Sequence, residues 1–285
     1  MANLKEIRNR ISSIGSTMQI TSAMKMVSAA KLKKAQDAII AMRPYANKLT
    51  ELLQNLSANA EDLESVYTEQ REVKNILLVA ITSNRGLCGA FNSNIIKKTI
   101  HLAQTEYADK NVSVYTIGKK GTDILTKQFD IVDTHNELYD DLTFNNASVI
   151  AEELMQYFVD GKYDKIEFVY NQFKNAATQL IQIEQFLPLV PATTEDSNSS
   201  NYIFEPNQAD IVTRLMPKSL KMQLYKSVRD SFASEHGARM TAMHKATDNA
   251  KELRDDLLLT YNKARQAAIT NEILEIVGGA EALNN

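Results

Sequence analysis

Between Leu4 and Met18 the apolar residues Leu4, Ile7, Ile11, Ile14 and Met18 fall at spacings of three, four, three and four. That is the seam of a helix that needs a helical partner along its length. The pattern drifts on through Ile20, Met24, Val27 and Ala30, and no proline interrupts it before Pro44. One helix from about Asn3 to about Leu56, bent near Pro44, is predicted. At 1.5 Å per residue it would measure roughly 80 Å, too long to fold inside a compact globule.

A second segment of this kind closes the chain. Leu220, Leu224, Val228 and Phe232, then Ala250, Leu253, Leu257, Ala264 and Ala268, recur at helical spacing, and Pro217 is the one proline beyond Pro206. Gly278-Gly279 is the expected C-cap. Two long helices leaving one middle domain side by side must run antiparallel. Counted from their domain ends they hold about 54 and 70 residues, so the second should overhang by about 16 residues, roughly 24 Å. Glycine (9) and proline (5) are scarce in the 285 residues, and Trp is absent, which favours long helices over turn-rich sheets.

Between the helices the period changes. The aliphatic run Ile76 to Ile81 centres a buried strand over Val73 to Thr82, after an acidic link from Glu61 to Glu72. Helical stretches near 92–107, 121–129 and 147–159 alternate with strands near 112–117, 131–134 and 165–171, the signature of a mostly parallel, doubly wound sheet. Gln179 to Val190 reads as an added strand, and the Ser, Thr and Asn-rich segment 193–201 as a surface loop. The expected fold class is therefore α/β, with domains at 1–57, 58–205 and 206–285. Net charge follows the same division. Residues 1–57 carry nine Lys or Arg against three acids, and residues 206–285 carry eleven against ten, so the acids concentrate in the middle of a chain whose formal charge is -3. A basic arm calls for an acidic partner, which could be nucleic acid, an anionic membrane or a protein surface.

Chemistry that would mark an enzyme is missing from the linear pattern. The turn Ser83 to Asn92 lies after the first strand and before a helix, where a phosphate or dinucleotide site would form. Its Gly86 and Gly89 give neither G-x-G-x-x-G nor a Walker loop, so they are read as structural turn residues. Gly118-Lys119-Lys120-Gly121 is read as an exposed turn. His101, His135, His236 and His244 stand in no H-E-x-x-H and beside no cysteine, so no metal site is expected. The single cysteine, Cys88, is read as buried packing, and a lone cysteine fits a reducing compartment. Asp255-Asp256 and Glu152-Glu153 are read as solvated helix faces. Met18, Met24, Met26, Met216, Met222, Met240 and Met243 fall on the two long helices, either as adaptable seam packing or as a surface that tolerates several successive partners. No segment approaches the roughly 20 apolar residues of a membrane span, and no signal or transit peptide pattern opens the chain.

The terminal stretch Ile269-Thr270-Asn271-Glu272-Ile273-Leu274-Glu275-Ile276-Val277-Gly278-Gly279-Ala280 resembles the C-terminal signature of ATP synthase gamma subunits. Ile7-Arg8-Asn9-Arg10-Ile11, Ile20-Thr21-Ser22-Ala23-Met24-Lys25-Met26-Val27, Thr82-Ser83-Asn84-Arg85-Gly86-Leu87-Cys88-Gly89 and Glu235-His236-Gly237-Ala238-Arg239-Met240 resemble further family segments, in the family's order. The resemblance implies two long antiparallel coiled-coil helices around a central Rossmann-like α/β domain. It also implies a shaft inside a hexamer of alpha and beta subunits, resting with epsilon on a membrane ring of c subunits, with no catalytic residues and no cofactor of its own. Such a protein would be peripheral to the cytoplasmic side of a bacterial inner membrane.

By the same resemblance Arg265, Gln266, Thr270 and Glu272 would meet a loop of beta. Met24, Lys25, Lys31, Lys33 and Lys34 would oppose an acidic segment of beta. Without the resemblance, Arg265 and Glu272 are an ordinary exposed helix pair. Gly237, where alanine would serve a helix better, is read as loosening the second long helix. Two other readings compete: a small-molecule site at Asn84 to Phe91, and a coiled-coil adaptor docking nucleic acid through its basic arm. Neither accounts for the terminal signature, and no nucleic-acid partner is expected.

Overall fold

The computed structural model describes residues 4–58, 66–189 and 208–284; the segment 193–201 and most of the acidic link's first half lie outside them. The elements are α1 (Leu4–Ala58), β1 (Asn75–Ile81), α2 (Phe91–Gln104), β2 (Asn111–Ile117), α3 (Lys119–Leu125), β3 (Ile131–Thr134), a 3-10 turn at Glu137–Tyr139, α4 (Phe144–Val159), β4 (Lys165–Phe173), β5 (Gln179–Leu187) and α5 (Gln208–Asn284). By contacts the chain divides into two compact units, each drawing on both long helices: Met1–Ser28 with Met240–Asn285, and Ala29–Arg239.

In the larger unit the strands order as β3-β2-β1-β4-β5. β1 pairs parallel with β2 and β4, β2 parallel with β3, and β5 closes the edge antiparallel to β4. Both faces are covered, which is why β1 reads as an unbroken aliphatic run rather than an alternation. Leu77, Val79 and Ile81 pack with α4 and with Leu220, Leu224 and Val228 of α5. Ile76, Leu78 and Ala80 pack with Ile95, Ile96 and Leu102 of α2 and Leu125 of α3.

The smaller unit pairs the start of α1 with the end of α5, antiparallel. Arg8 Nη2 donates to the Tyr261 hydroxyl at 2.7 Å, and the hydroxyls of Thr21 and Thr247 meet at 2.8 Å. The expected seam holds as far as Met18 and then departs from the apolar residues. Ile20 and Val27 are 60% and 57% exposed, while Thr21 and Ser28 are 9% and 2% exposed. The heptad itself does not drift: Met18, Thr21, Lys25, Ser28, Leu32, Ala35 and Ile39 keep alternating spacings of three and four. Small hydroxyl residues hold two of the positions, and each satisfies its oxygen within its own helix, Thr21 on the Met18 carbonyl and Ser28 on the Met24 carbonyl. On α5 the least exposed positions are Ala250, Arg254, Leu257, Tyr261 and Ala264, so Leu253 and Ala268, read as seam, lie outside it.

Gly278 and Gly279 do not end α5, which runs through them to Asn284. Neither takes the positive φ of a C-cap, and a Cβ at either would meet nothing within 4 Å. Gly237 also differs from its reading. A Cβ there would stand 3.2 Å from the Ala176 Cα and 3.3 Å from its carbonyl oxygen, so the glycine serves close approach to the β4–β5 turn. The Gly118-Lys119-Lys120-Gly121 segment is no exposed turn, for both glycines are buried against Thr82. At Gly118, φ is +108° and a Cβ would fall 2.2 Å from the Thr82 carbonyl oxygen. Gly118→Ala is therefore expected to cost at least about 3 kcal/mol, read as a lowered urea midpoint or as failure to fold.

Candidate functional site

In a sheet of this kind a ligand would enter at the carboxyl end of β1, where the connections leave in opposite directions to β2 and β4. Here the chain's own groups occupy the turn. Asn92 Oδ1 accepts from the Ser83 backbone N–H at 2.9 Å, Asn84 Nδ2 donates to the Asn136 carbonyl at 2.6 Å, and the Tyr139 hydroxyl donates to the Thr82 carbonyl at 2.7 Å. Leu87 and Gly89 take φ of 63° and 60° and turn the chain sharply, whereas Gly86 has no positive φ and open space around it. Cys88 is buried with Phe91 and Ala238, and burial pushes its thiol up, away from the thiolate a nucleophile needs.

From α5 Arg239 reaches the same turn. Its Nη1 donates to Glu235 Oε1 at 2.6 Å, and its Nη2 donates to the carbonyls of Arg85 at 3.1 Å and Gly86 at 3.3 Å. Glu235 and Arg239 are only 6% and 8% exposed. Burial raises the Glu235 carboxyl, and Arg239, Lys31 and Arg85 pull it back toward the ionised form. His236 lies between them with Nδ1 3.4 Å from Arg239 Nη1 and its ring edge-on to Phe232. Burial, with the charges of Arg239 and Lys31, depresses it to about 3, so it is neutral. Asn171 of β4 completes the junction, donating to the Phe91 carbonyl and accepting from Ser234. The sequence signal for this network was Glu235-x-x-x-Arg239, a one-turn ion pair beside a glycine, which linear reading left without a role.

The remaining acidic sites are also used internally. Glu152 is exposed and bridges Lys221, but Glu153 is no solvated face: its two oxygens accept from the Tyr115 and Tyr157 hydroxyls. A cleft of about 280 Å³ is lined by Met42, Arg43, Gln172, Lys226 and Asp230 among others. Burial pushes Asp230 up to about 6 against the pull of Lys226 and Arg43.

Arg265, Gln266, Thr270 and Glu272 are all exposed on α5, and Thr270 spends its hydroxyl on the Gln266 carbonyl. They share that stretch with exposed Ile269, Ile273, Leu274, Ile276 and Val277. With Arg8 opposite Tyr261, the first residue of α1, Leu4, falls opposite Arg265. The overhang from Arg265 to Asn284 thus spans roughly 30 Å, somewhat more than the sequence indicated. Lys31, Lys33 and Lys34 are exposed on α1, while Met24 and Lys25 are half-buried. The methionines divide: Met216, Met222 and Met243 are buried and Met26 is exposed.

A family model described as ATP synthase matches residues 3–283. The ATP synthase gamma chain of Christiangramia forsetii is 68% identical over 285 residues, and that of Flavobacterium johnsoniae 71% identical over 286, each covering 100% of both chains. The chain belongs to the ATP synthase gamma-chain family. Its backbone is similar to a chain of the Euglena gracilis mitochondrial ATP synthase rotor in rotational state 1, with TM-score 0.67, 20% identity and coverage of 93% and 98%. It is also similar to a chain of the OSCP/F1/c-ring assembly of that enzyme in rotational state 3, with TM-score 0.71, 22% identity and coverage of 98% and 94%.

Two of the family segments, Thr82 to Gly89 and Glu235 to Met240, thus meet through Arg239. Replacing Arg239 by Met leaves Glu235 buried without its partner and should cost about 3–5 kcal/mol in chemical denaturation, with partial recovery when Glu235→Gln is added. His236 gives a pH signature. The unfolded chain takes up a proton on it below its ordinary 6.5, while the folded chain keeps it neutral down to about 3, so it contributes a loss of stability as pH falls through that window. In His236→Asn the acid slope of unfolding free energy should flatten by up to about 1.4 kcal/mol per pH unit, measured by urea melts between pH 7 and 4.

Proposed function

We propose that the chain is the central-stalk rotor subunit of a rotary F-type ATP synthase, transmitting torque from ion flow through a membrane c-ring to catalytic beta subunits. The observation that carries this reading is the end of α5, where every residue from Arg265 to Ala280 is exposed and apolar side chains are mixed with polar ones. Exposed apolar surface of this extent on one helix calls for a surrounding partner. Membership of the gamma-chain family supports the reading of that partner as a sleeve of alpha and beta subunits, with epsilon and the c-ring at the opposite end of the stalk.

Arg265, Gln266, Thr270 and Glu272 then contact beta through polar groups that break and reform as the rotor turns, and the basic face at Met24, Lys25, Lys31, Lys33 and Lys34 opposes an acidic segment of beta. The device works by population shift. A rotor face that meets one conformation of beta better than another biases that subunit by the difference in contact free energy, with no covalent step on the rotor. The ligand crevice filled by Arg239 and Asn92 supports a non-catalytic role against the small-molecule reading. Among the described residues no helix is long and apolar enough to cross a membrane. The chain works as part of a peripheral complex, on the cytoplasmic face of a bacterial inner membrane.

The test is ATP hydrolysis by purified alpha and beta subunits with and without the chain, alongside size-exclusion chromatography. Co-elution with accelerated turnover is expected, and persistent separate elution with unchanged turnover would sink the proposal. Arg265→Ala with Gln266→Ala should lower the accelerated turnover several-fold. The melting temperature should stay nearly constant, because exposed substitutions shift stability by no more than about 0.5 kcal/mol.

A further inference from the structure

Asp133, His135 and Glu153 converge at the carboxyl end of β3, each offering one ligand atom, and these atoms all lie within 4.8 Å of one another. His135 is held from several sides. Its backbone N–H donates to the Thr116 carbonyl at 3.0 Å, its ring stacks on Tyr115 at 5.4 Å between centroids, and its Nδ1 lies 3.3 Å from Glu137 Oε1. With Nδ1 beside that carboxylate, the other ring nitrogen, Nε2, faces Glu153 Oε2 at 3.4 Å and Asp133 Oδ2 at 3.7 Å. This Nε2 is buried and has no hydrogen-bond partner. Three electron-rich atoms so placed repel one another unless a positive centre stands between them.

We propose that Asp133, His135 and Glu153 form a binding site for a divalent transition-metal ion, with zinc as the favoured occupant. Two of the three separations fit the ion, His135 Nε2 to Glu153 Oε2 at 3.4 Å and to Asp133 Oδ2 at 3.7 Å. Two ligands at about 2.0–2.2 Å from a metal and subtending a tetrahedral angle stand roughly 3.4 Å apart. The imidazole selects zinc and its neighbours over calcium and magnesium, which take oxygen ligands. The Asp133 side chain is 48% exposed, so water can reach the ligand set. The surrounding groups are those that orient metal ligands: Glu137 fixes the histidine tautomer, Tyr115 and Tyr157 hold the two Glu153 oxygens, and the Thr134 N–H holds Asp133 Oδ1. β3 is a four-residue edge strand with irregular pairing to β2, so an ion shared with Glu153 of α4 ties down that edge of the sheet. Linear spacing conceals the set because Glu153 arrives from a different element than the other two.

The full chain, freed of metal with a chelator and then dialysed, is titrated with zinc alone by calorimetry. One site per chain with affinity on the order of micromolar or tighter is expected, together with a raised melting temperature. His135→Gln should weaken binding by about 100-fold and abolish the shift. His244→Gln, at the exposed His244–Asp248 pair, should change neither. If the metal-free His135→Gln chain does not melt cooperatively, Asp133→Asn at the exposed ligand takes its place, with the same weakening expected. Equal binding by wild type and the ligand variant, or no saturable binding by wild type, overturns the site.

Discussion

One turn of α5 separates Glu235 from Arg239, and both are withdrawn from water. A guanidinium in that position cannot be left partly bonded, since its donors have no solvent to turn to. It therefore engages the carboxylate with one nitrogen and the carbonyls of Arg85 and Gly86 with the other. The rest of the larger unit arranges itself around that requirement. The turn after β1 must present two carbonyls outward, which the left-handed Leu87 and Gly89 allow. The helix must come close enough for the arginine to reach, which Gly237 permits by admitting the backbone of Ala176. The imidazole beside the guanidinium must stay neutral, as burial ensures for His236.

The same contact puts the chain's own groups at the place where a sheet of this topology would receive a ligand. Crevices at the carboxyl ends of parallel strands recruit anions because backbone N–H groups and helix ends point into them. Here Asn92 uses its position at the start of α2 to bind Ser83. The turn after β1 serves as an attachment point for α5 through Arg239.

The sequence revealed most where a single period governs many residues. The seam from Leu4 to Met18, the buried run Ile76 to Ile81 and the alternation of strands and helices were all readable, because burial on one face or on both leaves a repeating mark. Reading failed where a position is specified by one neighbour distant in sequence. Thr21 and Ser28 carry the heptad with hydroxyl side chains that apolar periodicity passes over, and their exposed neighbours Ile20 and Val27 drew the reading to the wrong face. Gly118 is required by a carbonyl of Thr82, Gly237 by the backbone of Ala176, and Glu153 is engaged by two tyrosines, none of which local composition discloses. The terminal glycines misled in the opposite sense, since a residue suited to ending a helix does not oblige it to end.

The exposed end of α5 bears on how such a protein is made. Ile269, Ile273, Leu274, Ile276 and Val277 lie open along a helix to which the described residues give no companion beyond Leu4. A newly synthesised chain therefore carries exposed apolar side chains there until something encloses them, and free copies can meet through that surface. Assembly is then a race between capture and self-association, decided by the relative supply of subunits. Supply of this chain in excess of whatever encloses it would favour aggregates or fragments over a free reserve.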